Sequence, residues 1–322
     1  MDRIIYTPKA ALCFIINYEH ELAKEEVWRK WIAPNADIIN VYFYYADKTK
    51  IRSDWIREHA IPETYIKPTT YMNVMPAYLG ITRAALAADE ANHWIIYLTD
   101  FCAPIISPRR FRYLFLNYHD RTFMSWNPAS WDVAKERRAN LHLVAKSLRL
   151  ANSPWFTLTR KHALVILQFI RQNPSLAETV FNGIVANESF FAIAFKHQNV
   201  INDVVAFDTH LSDWVRVSSS TSPHKFEDAN PKDRAFIEDG LTKNPMAMFL
   251  RKVMPEFPDA VLEKYIYNWQ HDADLALVVP NKWKKWQFRE SFLQIALAVA
   301  VIAICLLWVF YVLYFDNEFL KA

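Results

Sequence analysis

The chain has very little glycine: only Gly80, Gly183 and Gly240 occur among its 322 residues. Two common nucleotide-binding sites need closely spaced glycines, because their backbone must approach the phosphates without interference from a Cβ atom. These are the dinucleotide fingerprint of Rossmann domains and the phosphate-binding loop of the Walker type. The wide spacing of the three glycines excludes both, so a phosphate bound here must be held in another way.

Cysteine is equally scarce. Of the three cysteines, Cys305 lies in a long apolar stretch, which leaves only Cys13 and Cys102 for the rest of the chain. No disulfide framework can be built from them, which is typical of a protein in a reducing compartment. The apolar run at residues 10–16 is too short for a secretory signal peptide and is better explained as a strand. We therefore expect no signal peptide.

An excess of one charge is absent from most of the chain. Residues 281–322 hold five of the 37 Lys and Arg and three of the 34 Asp and Glu, which leaves 32 basic and 31 acidic side chains in residues 1–280. Nucleic-acid-binding proteins concentrate positive charge, so we expect no nucleic-acid partner. The ten histidines also lack the i, i+4 spacing of a metal site, and no nucleophile elbow is present. Metalloenzymes and hydrolases are therefore disfavoured.

One long hydrophobic stretch is present near the end of the sequence. Residues 292–315 carry no formal charge, and at about 1.5 Å per residue they would form a helix of about 36 Å, enough to cross a hydrocarbon core of about 30 Å. We predict a transmembrane helix there, preceded by a basic and aromatic collar at residues 281–291 and followed by a short tail at residues 316–322. Because the collar is basic, the positive-inside bias predicts a cytosolic domain at residues 1–280.

Strand-like and helix-like segments alternate along residues 1–280. The strand-like segments are short apolar runs of the kind buried in a parallel sheet, and the helix-like segments carry apolar residues on one face. This alternation predicts an α/β fold with a central, mostly parallel sheet flanked by helices. The clearest strands are at residues 11–16, 37–44 and 93–98, and the clearest helices are at residues 22–32, at residues 76–91, and after the predicted N-caps Ser107, Thr159 and Asn187.

Several segments occur in the order found in one known family. They are Ala-Leu-Cys-Phe-Ile-Ile at 11–16, the strand-containing segment at 86–104, Ser-Pro-Trp-Phe-Thr-Leu-Thr-Arg-Lys-His at 153–162, Asn-Glu-Ser at 187–189, Ser-Pro-His-Lys-Phe at 222–226 and Met-Phe-Leu-Arg-Lys-Val-Met-Pro at 248–255. In this order they resemble the core-2/I-branching β-1,6-N-acetylglucosaminyltransferases and their plant and microbial relatives. The resemblance covers about residues 10–258.

The resemblance implies a GT-A-like nucleotide-sugar-binding fold and an inverting transfer of a sugar from a UDP-sugar to a glycan hydroxyl. UDP-N-acetylglucosamine and UDP-xylose are the implied donors, and no metal or other cofactor is expected. Glu188 stands where the family has its catalytic base. Arg251 and Lys252 lie in the segment that holds the nucleotide diphosphate, and Lys252 is the better candidate of the two.

The residue types agree with this chemistry but also allow structural roles. Inverting transfer needs a base near the acceptor hydroxyl and positive charge near the departing diphosphate. Glu188 can be that base, or it can offset a helix dipole. Asp100, predicted at the end of a strand, can contact donor or acceptor or merely cap a helix, and Trp155 can stack on a sugar ring or lie in the core. Asp272-Ala-Asp274 is interpreted as a solvated turn rather than a metal site.

Two departures from the family pattern favour another function. Met72-Asn73 stands where the family has Trp-Gly, and Asn187 stands where it has an acidic residue. A catalytically inactive membrane or virion structural protein that keeps the transferase fold would explain both. A third hypothesis, a lumenal enzyme, would expose the sequon Asn187-Glu188-Ser189 to glycosylation, whereas a cytosolic enzyme would leave it unmodified and would serve a microbial or large-virus glycan.

Overall fold

Strands and helices alternate along the part of the chain that the computed structural model describes, which is residues 7–16, 19–219 and 222–267. The strands are β1 (Lys9–Ile15), β2 (Ile39–Tyr44), β3 (Asn92–Thr99), β4 (Ala103–Pro104), β5 (Thr122–Phe123), β6 (Trp126–Pro128), β7 (Leu150–Asn152), β8 (Thr157–Thr159), β9 (Val204–Val205), β10 (His210–Ser212) and β11 (Phe249–Arg251). The helices are α1 (Glu25–Ile32), α2 (Asp54–Glu58), α3 (Met75–Ala88), α4 (Pro108–Tyr118), α5 (Arg160–Gln172), α6 (Pro174–Phe181), α7 (Phe190–His197), α8 (Pro231–Lys243) and α9 (Asp259–Ile266).

A six-stranded sheet with the order β2-β1-β3-β8-β5-β9 forms the centre of the fold. Strand β1 pairs in parallel with both β2 and β3, so that Leu12 lies opposite Val41 on one side and Ile96 on the other. Strand β8 runs antiparallel to β3 and β5, and β9 is again parallel to β5. The prediction of an α/β fold with a central, mostly parallel sheet is confirmed.

Both faces of this sheet are covered, which explains why its strands read as continuous apolar runs. Ala11 and Cys13 of β1 belong to a core shared with α3, α5 and α7. Phe14 points to the opposite face, where its ring lies edge-on to Trp28 of α1 at 4.9 Å. The indole of Trp28 donates to the carbonyl of Cys102 at 2.9 Å, so its burial leaves no unpaired N–H.

The predicted element boundaries are close to those observed. The hydroxyls of Ser107 and Thr159 accept the backbone N–H of Arg110 and His162, as expected of N-caps. Helix α3 ends at Ala88, three residues before the predicted end. Asp89, which takes an extended conformation, stops the helix by bonding Lys9 and the N–H of Ala91 with its carboxylate.

The strand directions bring several polar segments to one edge of the large sheet. The chain leaves β3 at Asp100, leaves β5 towards Trp126 and leaves β9 towards Asp208, and it enters the antiparallel β8 just after Trp155. All four residues therefore follow or precede strands at the same edge. A smaller sheet of order β10-β11-β4 follows, and its strand β11 ends at Arg251. In open α/β sheets ligands bind at the carboxyl ends of the parallel strands.

Several predicted segments lie outside the described residues. They are the collar at 281–291, the span at 292–315, the tail at 316–322 and the triplet Asp272-Ala-Asp274. Within the residues that the structure describes, none of the helices combines the length and the apolar character needed to cross a membrane.

Gly80 allows helix α3 to pass close to a neighbouring loop. A Cβ atom at this position would lie 2.3 Å from the carbonyl oxygen of Tyr65 and 3.0 Å from the ring of Tyr44. Helix propensity alone would make Gly80→Ala stabilising by about 1 kcal/mol, but the backbone clash reverses the sign. We expect the substitution to lower the free energy of unfolding by about 1–3 kcal/mol in urea denaturation followed by circular dichroism. Ala87→Gly, at an exposed position of the same helix, is the control that measures the effect of helix propensity alone. A Gly80→Ala protein that is more stable than the unmodified chain would contradict the close approach of helix and loop.

Candidate functional site

A cavity of about 450 Å³ lies at the edge of the large sheet where its parallel strands have their carboxyl ends. Cavities of this size are typical of small-molecule sites. Its wall is formed by residues from three segments, 125–130 around β6, 151–155 from β7 towards β8 and 208–214 around β10, together with Arg251 at the end of β11. The lining therefore combines the carboxyl edge of the large sheet with two strands, β10 and β11, of the smaller sheet.

Arg251 supplies the positive charge of the cavity. Its residue surface is only 7% exposed, and its guanidinium carbon lies 4.9 Å from the centre of the Trp155 ring. Its Nε atom has no hydrogen-bond partner. Burial lowers the pKa of Arg251, while negative partners that include Asp100 and Glu188 act in the opposite direction. Because an arginine side chain stays protonated in proteins, the cavity contains a buried cation that forms no ion pair with the described residues.

Other polar atoms of the cavity wall are also buried without partners. They include Oδ1 of Asp208 and Nε1 of Trp126. His210 is neutral at physiological pH, because burial and the nearby Arg251 charge lower its pKa to about 3. Buried polar atoms in folded proteins are nearly always hydrogen-bonded. Because the residues that carry these unpaired atoms all line one cavity, we infer a site for a polar ligand.

Asp100 and Lys252 interact with Arg251 without belonging to the cavity lining. Asp100 is 9% exposed, and burial raises its pKa to about 6, against the effect of the Arg251 and Lys252 charges. Burial, followed by repulsion from Arg251, lowers the pKa of Lys252. The Lys252 amine donates to the hydroxyl of Ser222 at 3.0 Å. The cations Arg251 and Lys252 and the carboxyl group of Asp100 therefore interact where β3 ends beside β11.

Glu188 lies close to the cavity but outside its lining. It ends the short 3-10 helix Ala186–Glu188 and forms an ion pair with Arg138, whose guanidinium lies 4.4 Å from the centre of the Trp131 ring. Asn152, which does line the cavity, donates to the carbonyl of Asn187 at 2.9 Å. The turn that carries Glu188 is thus bonded directly to the cavity wall.

The backbone before Glu188 takes an unusual conformation. Val185 has φ 48°, in the left-handed region that β-branched residues rarely adopt. Its N–H donates to the carbonyl of Met72 at 2.7 Å, which helps to hold this conformation. Residues held in this way occur often at functional sites.

The prediction that Asn187 caps the following helix was wrong. Ser189 is the N-cap residue of α7, and no side-chain capping bond is present. The Asn187 side chain instead lies within hydrogen-bonding reach of the Tyr78 hydroxyl. Asn187 and Ser189 are only 6% and 1% exposed. The folded domain therefore buries the sequon, and glycosylation of it would require access before folding.

The structure brings together part of the predicted set and adds residues that the sequence analysis missed. Arg251 and Trp155 line the cavity, whereas Asp100, Lys252 and Glu188 surround it. The missed residues are Trp126, Arg138, Asp208 and His210. Only Asp208 follows a pair of β-branched residues that could have marked a strand end. Within the described residues, no group of three or more His, Cys, Asp or Glu side chains is placed to hold a metal ion.

A family model for the Core-2/I-Branching enzyme matches residues 2–237. The chain belongs to this family. Membership confirms the resemblance found in the sequence and implies glycosyltransferase activity. For this Core-2/I-branching family member, the comparison with curated proteins gave no match. The matched region includes Asp100, Trp155 and Glu188 but ends before Arg251 and Lys252.

The raised pKa of Asp100 predicts that the stability of the fold depends on pH. An aspartate with an ordinary pKa of 3.8 in the unfolded chain and about 6 in the folded chain keeps its proton longer when folded. Unfolding between these values releases a proton, so the contribution of Asp100 to stability falls as the pH rises from about 4 to 6 and stays low above. The rise of about two units corresponds to about 3 kcal/mol.

Asp100→Asn removes this titration and keeps the shape of the side chain. We compare the free energy of unfolding of the variant with that of the unmodified chain. The difference should favour the variant more at pH 7 than at pH 4, by up to about 3 kcal/mol. The measurement is chemical denaturation of both proteins at the two pH values, where the other titrating groups are common to both. An equal difference at pH 4 and pH 7 would show that Asp100 is not desolvated in solution.

Proposed function

We propose that this Core-2/I-branching family member transfers a sugar from a UDP-sugar to a hydroxyl group of a glycan, with inversion at the anomeric carbon and without a metal ion. N-acetylglucosamine and xylose are the proposed sugars, from the family resemblance. We further propose that residues 292–315 anchor the enzyme in a membrane with residues 1–280 in the cytosol. The basic collar and the long uncharged stretch of the sequence support this orientation.

The buried guanidinium of Arg251 is the observation that carries the proposal. A guanidinium presents a planar set of N–H donors that matches phosphate oxygens, and its charge is effective where water is excluded. The cation–π contact with Trp155, at 4.9 Å from the guanidinium carbon to the ring centre, helps to hold the group in place. A diphosphate entering the cavity would bond the unpaired donors, and Lys252 would add a second positive charge. These cations would stabilise the charge that grows on UDP as the bond to the sugar breaks.

Glu188 is the proposed base. In the reaction the acceptor oxygen attacks the anomeric carbon, the bond from that carbon to the diphosphate breaks with its electron pair leaving on UDP, and the hydroxyl proton passes to the carboxylate. The ion pair with Arg138 holds the carboxylate in position through one of its oxygens, Oε2. The bond from Asn152 to Asn187 supports a position near the acceptor.

The first test is binding of UDP to the full chain in detergent, with chelator present, by isothermal titration calorimetry. We expect UDP to bind, Arg251→Gln to weaken binding by about tenfold or more because a charged hydrogen-bond donor is lost, and Lys252→Ala to weaken it as well. Lys243→Ala, which removes an exposed lysine of α8 paired with Asp239, is the control and should bind like the unmodified chain.

Two other results would contradict the proposed function or the proposed site. A folded protein that gives no heat with UDP or UDP-sugars would support the inactive transferase-fold structural protein instead. Equal effects of Arg251→Gln and Lys243→Ala would place the diphosphate elsewhere.

The second test separates binding from catalysis at Glu188. Glu188→Gln should keep its affinity for UDP and lose transfer by about 10²- to 10⁴-fold, because the amide cannot accept the proton. The readout is UDP release from UDP-N-acetylglucosamine and UDP-xylose with a panel of glycan acceptors. Glu178→Gln, on an exposed position of α6, is the matched control. Transfer at an unchanged rate by Glu188→Gln would assign the base to another group.

A further inference from the structure

Asp208 is the single carboxylate among the described residues that line the cavity. Its backbone carbonyl accepts a hydrogen bond of 2.6 Å from the side chain of Asn244, so its position is fixed from the main chain. Its Oδ1 atom is buried and has no partner. Burial raises the pKa of Asp208, and the Ser153 hydroxyl opposes this only in part. One oxygen of the carboxylate, Oδ1, therefore has no hydrogen-bond donor among the described residues.

The unpaired atoms of the cavity wall have complementary roles. An ionised carboxylate only accepts hydrogen bonds, whereas the guanidinium of Arg251 and the indole N–H of Trp126 only donate them. A single ligand that satisfies these three atoms, and the unpaired Nε2 of His210 in the same wall, must therefore carry both donors and acceptors. An inorganic cation would satisfy Asp208 but would be repelled by Arg251, and a bare phosphate group offers acceptors to Arg251 without a reliable donor for Asp208.

A sugar ring has the required combination. Each hydroxyl of a pyranose both donates and accepts, and the apolar C–H face of the ring suits the aromatic side chains of Trp126 and Trp214, which line the cavity. Trp214 is 52% exposed and available at the rim.

We propose that Asp208 accepts a hydrogen bond from a pyranose hydroxyl in this cavity and thereby selects the sugar. The assignment deepens the proposed transferase function, on which it rests. The pyranose is either the sugar of the donor or the terminal sugar of the acceptor, and the two sources share the same chemistry at Asp208.

The first experiment compares UDP with UDP-N-acetylglucosamine and UDP-xylose by calorimetry on the full chain, Asp208→Asn and Asp203→Asn. Asp203 pairs with Lys161 at an exposed site outside the cavity and controls for the change of an aspartate to asparagine. If the donor sugar lies at Asp208, the affinity gained from the sugar falls by about tenfold or more in Asp208→Asn while the affinity for UDP is kept.

The second experiment titrates methyl glycosides of common pyranoses, and deoxy analogues lacking one hydroxyl each, by ligand-detected NMR with and without UDP. If the acceptor sugar lies at Asp208, Asp208→Asn loses glycoside binding, and one deoxy analogue shows the same loss on the unmodified chain. The deoxy series identifies the hydroxyl that is bound. If Asp208→Asn fails to fold by circular dichroism, Asp208→Ala takes its place, and unchanged glycoside binding in that variant would overturn the assignment.

The outcomes separate this inference from the transferase function. Glycosides that bind and depend on Asp208, with no binding of nucleotide, would overturn the transferase proposal and keep the role of Asp208. Nucleotide binding with sugar affinities unchanged in Asp208→Asn would overturn the role of Asp208 alone. A folded chain that binds neither nucleotide nor glycoside would overturn both.

Discussion

Burying a guanidinium is unfavourable by several kcal/mol unless nearby charge or hydrogen bonds offset the loss of water, and Arg251 lies in such a position. Its surroundings offset the loss only in part, through the face of Trp155 and the more distant charges of Asp100 and Glu188. The fold thus maintains a cation whose own hydrogen-bonding capacity is unused. An anion in the cavity would complete an arrangement that the protein alone leaves incomplete.

The cavity depends on the junction of the two sheets. Three residues join β3 to β4, and Asp100 is the first of them, so the large sheet leads directly into the smaller one. The N–H of Val253, just beyond β11, donates to the carbonyl of Phe101 in this link at 2.8 Å. The link therefore sets the distance between the polar edge of the large sheet and the cation of β11. A change in the link would alter both sides of the cavity at once.

The sequence predicted the parts of the fold that follow from local patterns. Apolar runs marked β1, β2 and β3, and the capping residues Ser107 and Thr159 marked the starts of α4 and α5. The carboxyl-end rule also led to Asp100. Asp208 and Arg138 were missed because β9 has only two residues and Arg138 lies in irregular chain. Their roles come from tertiary contacts between distant segments, such as the pairing of Arg138 with Glu188. The local spacing of residues does not predict such contacts.

The scarcity of glycine has a consequence for ligand binding. Within the described residues every left-handed backbone position belongs to a residue other than glycine, Val185 before the Glu188 turn among them. Such residues are strained in the folded chain, but their unfolded backbones have fewer conformations to lose than glycine would have. At position 185 a valine held by its bond to Met72 has fewer alternative backbone conformations than a glycine would have. A ligand that contacts the Glu188 turn therefore loses less binding free energy to its ordering than it would with glycine there.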